Sequence, residues 1–292
     1  MAGCSERNIG VYRWWLDRIR AHAGEDLSAL DTTTVTRFFV RLRERGVSPA
    51  TVHQAYRTLK TFTRWLEATD ALGRNPLAGL SIRTPTTLPQ VPTKEELRAA
   101  LACCPGTFEG TRNRALILVM ADAGLRAGEV VRLLVEDWSP QERSLFLRTG
   151  KGGKDRVSFV GATTTRAIRD YFTMRPLISR EDWLFANAQG GLLTTRYLVH
   201  ILHRLSTRTG LPPNRRLHPH SLRHLAATSW LRNGVGLDQV RRLLGHASLH
   251  TTLRYSNLVA ADLQQAHREA SAIERIGLTL GRGAGPSRHN RI

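Results

Sequence analysis

Apolar residues recur every three or four positions along most of the chain, the spacing that gathers one face of an α-helix. In "SPATVHQAYRTLKTFTRWLEAT", Val52, Ala55, Leu59, Phe62 and Leu66 form one such stripe. Ser48 precedes it as an N-cap, and Pro49 takes the first helical position, where its missing N–H is not needed. "ALDTTTVTRFFVRLRERG" reads the same way, opening at Asp31 or Thr32 and stopping at Gly46. The first 70 residues are therefore predicted to be helical.

The periodicity then breaks. "NPLAGLSIRTPTTLPQVPTKEEL" carries Pro76, Pro85, Pro89 and Pro92, a density that interrupts helix and strand alike. Thr93 and Glu96 have the spacing of a capping box and restart a helix. The expected organisation is a helical domain over 1–80, a linker over 81–93, a second domain over 94–276 and a flexible basic tail over 277–292. In the second domain, helices are expected near 94–104 and 111–123, followed by a break at Gly124. Two short β-runs fall within 144–160 around a Gly-rich turn. The helical pattern resumes near 163, with interruptions at 186–193 and 210–218. "GLDQVRRLLGHA" and "LHTTLRYSNLVAADLQQAHREA" read as two further helices. No repeat of fixed period is present.

Composition adds a partner class. Hydrophobic residues make up 41% of 292, enough to build a core. Lys and Arg number 43 against 24 acidic residues, a formal net charge of +19. Such a surface repels itself and calls for an anionic partner, nucleic acid first. A membrane is a weaker reading, since no 18-residue apolar run occurs. Cys4, Cys103 and Cys104 make neither a disulfide framework nor a zinc motif. "MAGCSERNIG" lacks the features of a secretion signal, so a soluble cytoplasmic protein is expected. Arg57, Lys60 and Arg64 share a second face of the helix that follows Pro49. That face is either solvated or turned toward phosphates.

"LHPHSLRHLAAT" gathers three histidines and an arginine. His220 and His224, four apart on one helix face, invite a zinc reading. Against it, Arg223 lies between them, and no acidic residue nearby offers a base or a further ligand. An anion fits better. Pro219 places His220 near a helix N-terminus, where free N–H groups favour negative charge. Arg223, one turn on, presents a planar fork to two phosphate oxygens. His224 then serves as a support or packing residue and His218 as a loop residue. Further candidates are Arg126 after a glycine break, Lys151 in the β-turn, His246 after a helix stop, and Tyr255.

Together these residues resemble the tyrosine recombinases of the phage-integrase and Xer-like type. The matching motifs are "GLRAGEV" with Arg126, "GKGGKDR" with Lys151, "HPHSLRH" with His220 and Arg223, "LLGHASL" with His246, and "RYSNL" with Tyr255. "RGVSPATVHQAYRTLKTFTRWL" followed by "NPLAGL" resembles the family's helical core-binding domain, so the likeness covers nearly the whole chain. The resemblance implies a mainly α fold with a small β-sheet in the catalytic domain, arranged as a two-domain C-shaped DNA clamp. It implies that Tyr255 attacks a DNA phosphodiester to leave a 3′-phosphotyrosine, without cofactor, metal or ATP. Arg126, Arg223, His220 and His246 would stabilise the phosphorus centre. His220 would be the base and Lys151 the acid, preferred over Lys154. Glu129, three after Arg126, would hold that arginine or be a surface residue.

The implied partners are a double-stranded DNA core site and a homotetramer on paired sites, or a heterotetramer with a related recombinase. The last helix, roughly 258–274, would dock onto a neighbour, and whether Tyr255 acts in cis stays open. Few residues precede "VYRWWLDRIR", so a shortened first core-binding helix and no separate arm-binding domain are expected. Three alternatives stand beside this reading: a type IB topoisomerase, a catalytically silent DNA-binding regulator, and a zinc hydrolase.

Overall fold

In a computed structural model of the protein, residues 6–82, 90–148, 155–175, 178–253, 255, 256 and 258–260 are described. The chain divides into two compact units, Met1–Thr87 and Leu88–Ile292.

The described residues of the first unit form three α-helices, α1 (Glu6–Ala23), α2 (Thr32–Glu44) and α3 (Pro49–Ala68). Asp31 Oδ1 accepts the Thr34 N–H at 2.7 Å and starts α2. Ser48 Oγ accepts the Thr51 N–H at 3.3 Å and starts α3. A cap of this kind stabilises a helix by ~1 kcal/mol. Between them Gly46 takes φ +71°, a left-handed turn that a side chain would disfavour. The stripe on α3 packs inward: Val52, Ala55, Leu59 and Leu66 are buried against Trp15 and Ile19 of α1 and Val35, Phe38 and Phe39 of α2. Each of the larger aliphatic side chains among them contributes roughly 1.5–3 kcal/mol on burial. Phe62 is half-buried and stacks on exposed Trp65. On the other side of α3, Arg57 and Arg64 are exposed. Lys60 is half-buried, lies over the Tyr56 ring and donates to its hydroxyl at 3.2 Å.

The second unit surrounds α5 (Phe108–Ala123), which is buried along most of its length and packs against α7 (Ala162–Thr173) and α9 (Pro219–Arg232). Ala115, Leu116, Ile117, Val119 and Met120 of α5 belong to one core with Leu145, Ile168, Leu198 and Leu222. α4 (Lys94–Ala102) starts on the Thr93–Glu96 capping box, with both reciprocal hydrogen bonds made. A single turn, α6 (Ala127–Val130), leads into an antiparallel sheet ordered β1 (Trp138–Ser139), β2 (Ser144–Leu147), β3 (Arg156–Phe159). α8 (Thr195–Arg208) and α10 (Leu237–Leu244) belong to the same unit. Residues 250–253, 255, 256 and 258–260 are helical.

A mostly helical fold with one small sheet is the class expected. Details differ from the pattern. β1 is two residues long, too short for an alternation to be seen. The helix expected to run from 163 to 186 stops at Thr173, shortly before Pro176, which cannot continue a helix and disfavours the helical conformation of the residue before it. The Arg175 side chain donates to the Trp183 carbonyl at 2.7 Å. The alternation of β3 also points opposite to the usual rule. Arg156 and Ser158 face inward, while Val157 and Phe159 are 45% and 57% exposed.

Candidate active site

The site is built where helix ends meet. His218 caps α9, accepting the Ser221 N–H at its Nδ1 (3.1 Å), while Ser221 Oγ accepts the His218 N–H (3.0 Å). Partial burial, with nearby His220, holds the His218 imidazole below its ordinary value, which favours the neutral ring that an accepting Nδ1 requires. His218 is thus a cap, where its sequence position suggests only a loop. Pro219 follows at the first helical position, and His220 is exposed at the second. One turn on, the His224 ring is buried, 6.4 Å from the His220 ring and inclined 28° to it. Among the described residues, no group of three or more His, Cys, Asp or Glu could hold a metal ion.

Arg223 is buried, 3% exposed. Its Nη1 donates to the Gly124 carbonyl at 2.7 Å, and its Nη2 to the Leu244 carbonyl at 2.6 Å. It therefore ties the end of α5 to the end of α10. Both helices stop at a glycine in the left-handed region, Gly124 and Gly245, each with φ +63°. A Cβ at Gly124 would lie 3.1 Å from Leu244 and Trp230 side-chain atoms, so glycine also permits the close approach.

Three consecutive carbonyls at the end of α10 each receive a different arginine. Arg156 Nε donates to Leu243 O (3.3 Å), Arg223 to Leu244 O, and Arg126 Nη2 to Gly245 O (3.1 Å). The last carbonyls of a helix lack intrahelical partners and carry the negative end of its dipole, which suits guanidinium donors.

Glu129 binds the same arginines together. Arg126, the residue before α6, donates its backbone N–H to Glu129 Oε2 (2.7 Å) and its Nη1 to Oε1 (2.8 Å). Arg156 grips both oxygens, Nη1 to Oε1 at 3.0 Å and Nη2 to Oε2 at 2.9 Å. Arg223 Nη1 stands 3.9 Å from Oε2. Burial alone would raise the Glu129 pKa, but the Arg156 fork and the Arg126 N–H outweigh it and hold the carboxyl below the ordinary glutamate value. Burial, reinforced by neighbouring Arg126, pushes the Arg223 pKa down to about 10. Three guanidinium groups around one carboxylate leave the site with a positive excess.

Tyr255 enters this centre from the helical residues after Gly245. It is 2% exposed and packs with Ala227, Val240 and Leu244. Its Oη lies 3.0 Å from His224 Nδ1, and its ring runs parallel to that of His246, 6.4 Å away. His246 Nδ1 is within hydrogen-bond distance of Thr252 Oγ1, at 2.9 Å. Arg126, Arg223, His246 and Tyr255 thus assemble around the end of α10, with His220 one turn before His224. Lys151 and Lys154 lie outside the described residues. Arg57, Lys60 and Arg64 belong to the first unit. Sequence reasoning passed over Arg156 and Thr252. The usable signal for Arg156 is a permanent cation alternating with a serine inside a short strand.

Comparison with known proteins adds the lineage. A model of the "Phage integrase family" matches residues 90–261, and one of its "N-terminal SAM-like domain" matches residues 1–71. "Tyrosine recombinase XerA" of Thermococcus onnurineus is 30% identical, covering 94% of this chain and 93% of its own length. "Tyrosine recombinase XerC" of Lacticaseibacillus casei is 30% identical over 85% of this chain and 86% of its own. Among solved structures, the XerH recombinase bound to palindromic difH substrate in a post-cleavage complex shares the fold. Its TM-score is 0.75 at 23% identity, covering 92% of this chain and 80% of that one. With a family model spanning more than half of the sequence and full-length relatives at 30% identity, the chain belongs to the phage integrase family, the tyrosine recombinases.

Proposed function

We propose that this protein, a site-specific recombinase of DNA, cuts and rejoins its substrate through Tyr255. The Tyr255 oxygen attacks phosphorus, the bond to the 5′ oxygen breaks, and a 3′-phosphotyrosine remains while the 5′-hydroxyl departs with a proton. A second 5′-hydroxyl reverses the step on another strand, so the phosphodiester energy is kept and ATP is not consumed. Arg126 and Arg223 hold the non-bridging oxygens, and His220 and His246 add hydrogen bonds to them. Family resemblance makes His220 the base and Lys151 the acid. The arginine excess supplies the positive field that a metal ion supplies elsewhere. The observation that carries this reading is the convergence of Arg126, Arg223 and buried Tyr255 at the end of α10.

The partner is double-stranded DNA at a short core site, bound by a tetramer that is homomeric or shared with a related recombinase. No described helix is long and apolar enough to cross a membrane, and a cytoplasmic, nucleoid-associated protein fits that role. The test is covalent trapping on a nicked suicide substrate in EDTA. Wild-type protein should form a covalent adduct, and Tyr255→Phe should form none. An adduct with Tyr255→Phe overturns the nucleophile, and loss of cleavage in EDTA overturns the metal-free mechanism. Products with exchanged flanks, rather than relaxed circles alone, separate a recombinase from a type IB topoisomerase.

A further inference from the structure

The proposed chemistry leaves the third arginine of the cluster without a role. Arg156 is the strongest partner of Glu129, meeting both carboxylate oxygens in parallel at 3.0 and 2.9 Å. Arg126 meets the same carboxylate with one guanidinium nitrogen, and Arg223 stays at 3.9 Å. The Arg156 side chain is 11% exposed and its Nε is committed to the Leu243 carbonyl, whereas the Arg126 side chain is 42% exposed. The guanidinium passes so close to the chain that a Cβ at Gly245 would lie 2.9 Å from Arg156 Cζ.

We infer that Arg156 is a positioning residue that takes up the charge of Glu129, so that Arg126 and Arg223 keep theirs for the DNA phosphate. This rests on the tyrosine-recombinase reading above. A carboxylate in this half-buried centre must be matched by some cation. Without Arg156 the nearest ones are the two arginines meant for the phosphate, and each unit of charge they give to Glu129 is lost to the transition state. Arg156 thus acts through Glu129 and does not touch the reacting atoms.

The experiment compares single-turnover adduct formation and DNA affinity on the suicide substrate. Arg156→Gln should slow adduct formation by about 10²-fold, the scale of losing one electrostatic stabiliser, with DNA affinity changed only a few-fold. The diagnostic result is rescue. Adding Glu129→Gln to Arg156→Gln should recover about tenfold of the rate, because the stranded charge is gone. Arg156→Lys should recover little, since an ammonium cannot fork both oxygens. If Arg156→Gln fails to fold in a thermal melt, the comparison moves to Arg156→Lys with and without Glu129→Gln. Wild-type cleavage by Arg156→Gln, or a further loss on adding Glu129→Gln, overturns the inference and makes Arg156 a plain structural brace. Absence of an adduct in the wild type overturns the nucleophile reading instead, so the two failures are distinct.

Discussion

Tyr255 Oη and His224 Nδ1 lie 3.0 Å apart, both on buried side chains. The tyrosine proposed to attack DNA is therefore held by the histidine that sequence spacing assigns to packing or support. A buried hydroxyl deprived of its partner costs ~1–3 kcal/mol. His224→Ala should lower the melting temperature and slow adduct formation about tenfold, through loss of hydroxyl alignment. His224→Gln retains an acceptor and should recover part of both. Thermal melts and suicide-substrate kinetics on the two variants check this. Equal rates in His224→Ala and wild type would show that the contact does not serve the reaction.

Gly245 permits a second prediction, because two effects act there together. Its φ of +63° strains any side chain, at ~1 kcal/mol for alanine. Its Cβ position also collides with the Arg156 guanidinium at 2.9 Å. Gly234, with φ +82° and nothing within 4 Å of its Cβ position, carries the strain alone. Gly245→Ala should therefore destabilise more than Gly234→Ala and reduce cleavage, while Gly234→Ala should leave cleavage near wild type. Urea unfolding and adduct formation on both variants measure the difference. Similar losses in the two would mean that the approach of Arg156 to Gly245 is unimportant.

Much of the frame was legible in local sequence because its signals are local. Ser48, Thr93 and the glycines after α5 and α10 mark helix ends within a few residues of the groups they satisfy. The inward orientation of Arg156 was not legible. Alternation in a strand defines two faces without saying which is buried, and Val157 and Phe159 would ordinarily claim the inside. The arginine contacts were hidden for a different reason. Arg126 reaches a carbonyl 119 positions away, and Arg223 one 99 away. Nothing in a linear pattern marks a backbone carbonyl as the target. The cap at His218 was missed because histidine is a rare N-cap next to Ser, Thr, Asp and Asn.

Glu129 gives a pH prediction with a definite sign. Its folded-state pKa lies below its ordinary value of 4.5, since the arginine contacts outweigh burial. The contribution of a group with a depressed folded pKa is complete above the unfolded value. It is lost as pH falls through the folded value. Wild-type protein should therefore exceed Glu129→Gln in stability at neutral pH, and the gap should close as pH drops below 4.5. Chemical denaturation of the pair at neutral and acidic pH checks it. A gap that stays constant across that range would place the value of Glu129 in its shape and not in its charge.

The face of α3 that carries Arg57 and Arg64 is open to a test by salt. Both are exposed, and neither is needed for the core that Val52, Ala55, Leu59 and Leu66 build on the opposite side. If each contacts a DNA phosphate, each displaces a condensed counterion on binding. The slope of log affinity against log salt then falls by about 0.9 for every contact removed. Arg57→Ala and Arg64→Ala should each flatten the slope by that amount and weaken specific and non-specific DNA about equally, since phosphates carry no sequence information. Lys60→Ala should do less, because its ammonium is already engaged with the Tyr56 hydroxyl and ring. Titrations from low to moderate salt on core-site and random duplexes measure all three. Unchanged slopes in both arginine variants would make this stripe a solvated face. A loss confined to the core site would make the arginines base readers instead.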